Sequence, residues 1–282
     1  MEMNRKQNTA LSKVSVNALF ILLCVVTLFP LFCLVLASLK PSTELLRFGL
    51  NLKLDFQVMS LKNYAFLFQG GSIYFEWFKN SLLLLVITTA LTLFFSSMVG
   101  YGLAVYSFKG KNVLFLLVLF IMMVPIEIMM LPLFKMTVAL RIVDSYTGVI
   151  LPFIVAPVAV FFFRQYALGL PKALLESARV DGCTEFGIFL RIMMPLMKPA
   201  FGAMAILQAM GSWNNFLWPL IVLRSKEMFT LPIGFASLLS PYGNNYDMLI
   251  SGAVLAVIPI IIIFLFFQKY FISGLTSGGI KG

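Results

Sequence analysis

Histidine is absent from the 282 residues. That removes the usual proton shuttle near neutral pH and the commonest metal ligand, so His-based metal sites and His-based acid–base catalysis are excluded. Cysteine is scarce. Cys24 and Cys33 fall inside one apolar run and Cys183 in a polar stretch, a pattern with no metal-ligand spacing and no disulfide framework. Charge is scarce too: Asp, Glu, Lys and Arg make up 11% of the chain, where a water-soluble domain carries about 25%. No Gly-x-x-x-x-Gly-Lys-Ser/Thr phosphate loop occurs, so ATP hydrolysis is not expected in this chain. There is no internal repeat and no low-complexity tract.

Apolar residues fill the space that these absences leave, at 61% of the chain. Too little polar surface remains to cover a soluble globule, and the solvent that suits such a chain is a bilayer. Six runs, near 17–38, 80–106, 112–133, 147–166, 200–223 and 249–270, are long enough to cross a hydrocarbon core as helices of about 20 residues. Helix is the expected state because backbone groups in lipid must be satisfied within their own segment. The expected fold class is therefore an all-α polytopic membrane protein with six transmembrane helices. Residues 1–16 form an N-terminal segment, 17–270 the membrane domain and 271–282 a tail. The first run is too long for a signal-peptide core and reads as a retained anchor.

The net charge of +10 comes from 21 Lys and Arg against 11 Asp and Glu. The cations lie in short connections between apolar runs, as topology determinants do, and not on a basic face suited to nucleic acid. With both termini inside, the inner segments hold twelve cations and the outer ones nine, and the turn 107–112 adds a local vote with Lys109 and Lys111. Both termini are therefore expected in the cytoplasm. Trp77, Trp213 and Trp218 are expected as membrane-interface anchors.

The inner connection 167–198 carries the densest pattern. Pro171 suits a first helical turn, and 171–181 reads as a short helix with Leu174, Leu175 and Ala178 on one side. Gly182 can take the left-handed conformation that ends it. Thr184 can cap a second helix, and Pro195 stops or kinks it at the membrane. A helix–Gly–helix elbow of this mixed character is too polar to span lipid. It suits a cleft on another protein or the membrane surface.

This stretch resembles the signature of binding-protein-dependent importer permeases: Glu-Ala-Ala, three residues, Gly, nine residues, Ile, one residue, Leu-Pro. Here Glu176-Ser177-Ala178, Gly182, Ile192 and Met194-Pro195 keep every interval, with Ser177 and Met194 as the departures. The resemblance extends over nearly the whole chain to the smaller, six-span permease of maltose-type carbohydrate importers of the ATP-binding-cassette class. It is carried by Asp181-Gly182, by Trp213-Asn214-Asn215-Phe216 with Trp218-Pro219-Leu220, and by the C-terminal Gly274-Leu-Thr-Ser-Gly278-Gly279-Ile-Lys281-Gly282.

The resemblance implies a type I importer permease fold with a cytoplasmic coupling helix, in a bacterial or archaeal inner membrane. Glu176, Ser177, Ala178, Asp181, Gly182, Ile192 and Pro195 would couple to an ATPase subunit. Gly274, Gly278, Gly279 and Lys281 would reach between two ATPase subunits. Tyr242, Asn244, Asn245 and Tyr246 would touch an extracytoplasmic substrate-binding protein. The implied partners are a second permease, two ATPase subunits, that binding protein and a sugar. ATP and Mg²⁺ would sit in the ATPase, leaving no cofactor and no catalysis in this chain.

Glu127, between Pro125 and Pro132, is a pathway or gate candidate, since an ionisable group within a span usually faces a cavity or partner. Asn214 and Asn215 are pathway candidates by the same reasoning, with interhelical hydrogen bonding as the plainer role. A glycerol phosphate ester is the alternative cargo, but it would favour cations along the path, and the spans hold almost none mid-membrane. A secondary transporter would need a proton relay, for which one intramembrane Glu is thin support.

Overall fold

In the computed structural model the apolar runs are helices, and no strand occurs among the described residues, which are 2–49, 52–69, 72–239 and 245–277. Three unbroken helices are long and apolar enough to cross a membrane: α1 (Glu2–Ser38, apolar over Lys13–Ser38), α4 (Tyr74–Val105) and α15 (Tyr246–Ser277, apolar over Tyr246–Tyr270). Short helices α2 (Ser42–Phe48) and α3 (Lys62–Phe68) lie between α1 and α4.

The other three expected spans are not unbroken helices. The third divides into α5 (Lys111–Met123) and α6 (Ile126–Ala139), bent by 105°. Pro125 is the cause. It cannot donate to the helix ladder and drives the preceding Val124 into extended geometry at ψ 119°. The fourth comprises α7 (Tyr146–Ile150), a 3₁₀ turn (Leu151–Phe153) and α8 (Pro157–Leu168), bent by 42°. After α9 (Ala173–Val180), α10 (Glu185–Ile188), a π-helical turn (Phe189–Met193) and α11 (Met194–Leu196), the chain bends 79° at Met197 into α12 (Lys198–Trp213). Expected span five then breaks at Asn214–Phe216 before α13 (Leu217–Val222), and α14 (Leu231–Ser237) follows.

The chain falls into two units, Met1–Ser72 with Leu238–Leu255, and Ile73–Ser237 with Ala256–Gly282. In the first, Asn63 Nδ2 donates to the carbonyls of Ser38 and Lys40 at 2.9 Å each. There Asp247 accepts from the Ser42 backbone N–H at 2.6 Å and the Ser42 hydroxyl at 2.9 Å, so a carboxylate sits at the N-terminus of α2, where the helix dipole favours it.

In the second unit α4 is the central element. Small and hydroxyl residues recur along it at four-residue spacing, at Thr88, Thr92, Ser96 and Gly100, and such residues let helices approach closely in lipid. Thr92 Oγ1 donates to the Phe153 carbonyl at 2.9 Å, and Ser96 Oγ accepts from the Ala156 N–H at 3.0 Å. A Cβ on Gly100 would meet the Val160 carbonyl oxygen at 2.8 Å, which shows how tightly α8 lies against α4. The three tryptophans are core residues, a correction to their reading as interface anchors. Trp77, Trp213 and Trp218 are buried, and their indole N–H groups donate to the carbonyls of Lys226, Ala256 and Gly148. A buried indole needs such a partner.

Candidate functional site

The elbow between α9 and α10 forms as its residues dictate. Gly182 adopts φ +79° and has open space around it, so the turn needs glycine for its backbone angle and not for room. Thr184 Oγ1 accepts from the Gly187 N–H at 3.1 Å, closing the N-terminal cap of α10. The first helix is a little shorter than expected, and Leu174 is exposed while Leu175 and Ala178 are buried. Those two join Tyr101, Ile188, Phe189 and Met193 in one apolar cluster that seats the elbow on the end of α4.

A polar brace that sequence reasoning missed crosses the elbow. Arg179 donates to Glu185 through two N–H groups, at 2.7 and 3.2 Å, and the Tyr106 hydroxyl donates to the same carboxylate at 2.8 Å. The Arg179 contact first, and then the Tyr106 hydroxyl, hold the Glu185 carboxyl below its ordinary value. The Arg–Glu spacing across a glycine turn was the available signal; the Tyr106 contribution comes from another connection and has no local signature.

The outer surface of the elbow is exposed at Glu176, Ser177, Val180, Asp181 and Gly182, with Val180 87% exposed. Glu176 makes no ion pair with any described residue. Ser177 donates its hydroxyl to the Ala173 carbonyl of its own helix at 2.9 Å. Ala178 faces inward, Ile192 is half-buried in the π turn, and Pro195 is exposed. Pro195 lacks the N–H that an α-helix would use at that position, and the turn before it is widened, with Met194 N–H bonded to the Phe189 carbonyl.

The remaining candidates are scattered. Glu127 is exposed in the first turn of α6, where a negative charge suits the helix dipole. Asn214 is exposed and donates to the Met210 carbonyl at 2.9 Å. Asn215 is half-buried and lines a cavity of about 160 Å³. Asn245 is exposed and caps α15, its Oδ1 accepting from the Met248 N–H at 3.0 Å, with the half-buried Tyr246 beside it. Tyr242, Asn244, Gly278, Gly279 and Lys281 lie outside the described residues. The backbone of Gly274 is helical, because α15 runs to Ser277 and takes up the first part of the expected tail.

Two further polar groups escaped the sequence reading. Asn80, buried in α4, donates to the carbonyls of Glu227 and Phe229 at 2.7 and 3.0 Å and accepts from the Tyr146 hydroxyl at 2.7 Å. Asp144 accepts from the backbone N–H groups of Arg224 and Ser225 at 2.8 and 3.1 Å and from the Ser225 hydroxyl. The Arg224 N–H, followed by the Ser225 hydroxyl, holds the Asp144 carboxyl below its ordinary value.

Comparison with known proteins gives one consistent answer. The family described as binding-protein-dependent transport system inner membrane component matches residues 96–277, a stretch that takes in the whole elbow. The Arabinooligosaccharides transport system permease protein AraQ of Bacillus subtilis (strain 168) is 75% identical over 270 residues, 96% of each chain. The protein of the same name from Halalkalibacterium halodurans is 59% identical over 263 residues, covering 93% of this chain and 94% of its own. Among solved structures, a chain from the crystal structure of a bacterial ABC transporter involved in the import of the acidic polysaccharide alginate superposes with a TM-score of 0.77. It covers 91% of this chain and 95% of that one at 20% identity, a likeness of fold.

Proposed function

Since this chain belongs to the binding-protein-dependent transport system inner membrane component family, we propose that it is one of two different permease subunits of an ATP-driven importer for a neutral oligosaccharide. The cargo class is supported by the two relatives at 75% and 59% identity, both named for arabinooligosaccharide transport. A binding protein delivers the sugar from outside, and two ATPase subunits on the inner face supply the work. ATP and Mg²⁺ belong to those subunits, and this chain makes and breaks no covalent bond.

The observation that carries the coupling role is the exposed outer face of a braced elbow. Glu176, Val180, Asp181 and Gly182 stand out from the protein, while Leu175, Ala178 and the Arg179–Glu185 pair fix the elbow to the end of α4. A segment held this way moves as one body. A push from an ATPase groove travels through α10, the π turn and α11 into the bent α12, and so to the break at Asn214 and Asn215. Pro195 and Ile192 set the geometry of that transmission. Glu176 serves as the charge that a cation on the ATPase would pair. Glu127, Asn214 and Asn215 are placed by this reading along the path, Tyr242, Asn244, Asn245 and Tyr246 toward the binding protein, and the tail with Gly274, Gly278, Gly279 and Lys281 toward the ATPases.

The test is co-purification from membranes together with Glu176→Lys. The parent chain is expected to bring down a separate ATPase. The variant is expected to insert normally but to lose most sugar-stimulated ATP hydrolysis, because reversing one partner of a docked ion pair leaves two like charges facing each other. Undiminished sugar uptake by the variant would overturn the coupling role.

A further inference from the structure

The cavity of about 160 Å³ beside the α12–α13 break is lined by Ser81 and Thr88 of α4, Gln208 and Ser212 of α12, Asn215 and Thr230. Phe153 adds an aromatic flank. Thr230 is 4% exposed and its hydroxyl makes no hydrogen bond. The side chains of Thr88, Gln208, Ser212 and Asn215 likewise have no partner among the described residues. Ser81 Oγ accepts from the Leu231 N–H at 2.7 Å and keeps its own hydrogen to donate. Uncommitted hydroxyl and amide groups are costly inside a membrane bundle unless something fills the space between them.

The chemistry of that occupant follows from the wall. No Asp, Glu, Lys or Arg is among the lining residues, so a phosphate ester or carboxylate finds no counter-charge. Hydroxyls and amides both donate and accept, which matches a polyhydroxylated neutral molecule, and the aromatic flank offers a face for its C–H groups. The volume corresponds to about five waters, enough for one sugar ring and too small for a whole oligosaccharide. We propose that this cavity is a subsite in which this chain itself holds one ring of a neutral oligosaccharide in transit, with Ser81, Thr88, Gln208, Ser212, Asn215 and Thr230 as its hydrogen-bonding wall. This rests on the transport function proposed above and adds that this subunit reads the cargo directly.

The experiment uses the complete importer in proteoliposomes, with Cys24, Cys33 and Cys183 of this chain replaced by alanine. Thr88→Cys and Ser212→Cys are each reacted with a small methanethiosulfonate reagent. Arabinotriose delivered by the binding protein, with the ATPases trapped by vanadate, is expected to slow both reactions several-fold, and glycerol 3-phosphate to leave them unchanged. In a separate arm Gly211→Leu fills the cavity from a position where an added Cβ meets nothing within 4 Å; it is expected to cut arabinotriose uptake by about tenfold or more while the ATPase still co-purifies. Thiol rates indifferent to arabinotriose, in an importer that takes it up, overturn the subsite and leave a water-filled cavity. So does undiminished uptake by Gly211→Leu. If the parent importer takes up no sugar at all, the transport function itself fails and the subsite with it.

Discussion

Glu185 receives hydrogen bonds from both Arg179 and Tyr106, and its carboxyl is held low chiefly by Arg179. A carboxyl that is lowered in the folded state adds stability that is present above its unfolded value and is lost as pH falls through the folded one. The elbow is therefore expected to loosen as pH drops below the ordinary carboxylate value of 4.5. A spin label on the exposed Cys183 is expected to gain mobility across that fall in the parent. In Glu185→Gln it is expected to be mobile already at neutral pH and insensitive to acid. A parent signal that does not change with pH would show that the brace does not order the elbow. The two ends of this pair were visible in the sequence; the third member was not, because Tyr106 belongs to the end of α4 and only the packing of α9 and α10 against that end brings it within reach.

Helix breaks and helix contacts in this chain are set by different residues. One break falls at Pro125, whose residue type forbids a continuous ladder, and another at Asn214–Phe216, inside the run 200–223 that was expected as one span. Glycine makes the contacts. A Cβ on Gly234 in α14 would lie 2.1 Å from the Trp77 ring, and Trp77 is pinned by its hydrogen bond to the Lys226 carbonyl. Gly234→Ala is expected to destabilise the protein by about 1–3 kcal/mol through overpacking. Gly211→Ala, in the open part of α12, is expected to be stabilising by about 0.5–1 kcal/mol, since it only removes a glycine from a helix. Thermal unfolding of both variants in the same detergent distinguishes them; equal midpoints would mean that α14 does not pack on Trp77 as described.

Across the whole molecule, orientation in the membrane is what links the two ends of the proposed transport path. The count of cations favours a cytoplasmic elbow, and Cys183 is exposed on it, whereas Cys33 is buried and Cys24 lies within the first span. A membrane-impermeant maleimide is expected to label Cys183 in inside-out vesicles and not in intact cells. Labelling from the outside would invert the topology and remove the elbow from any cytoplasmic ATPase. The same vesicles carry the Glu176→Lys comparison, so orientation and coupling are read in one preparation.

Composition alone determined that this chain belongs in lipid, and lipid in turn forced helices, because each backbone group must find its partner within its own segment. The elbow followed from Gly182 and Thr184 for the same local reason: a backbone angle and a cap are properties of adjacent residues. Tertiary structure decided the rest. It buried three tryptophans that their residue type had placed at the membrane surface, bent the third span by 105°, and gathered Ser81, Thr88, Gln208, Ser212, Asn215 and Thr230 around one cavity. In lipid a side chain's neighbours across a bundle depend on how helices from distant parts of the chain fit together, and no local stretch of residues encodes that fit.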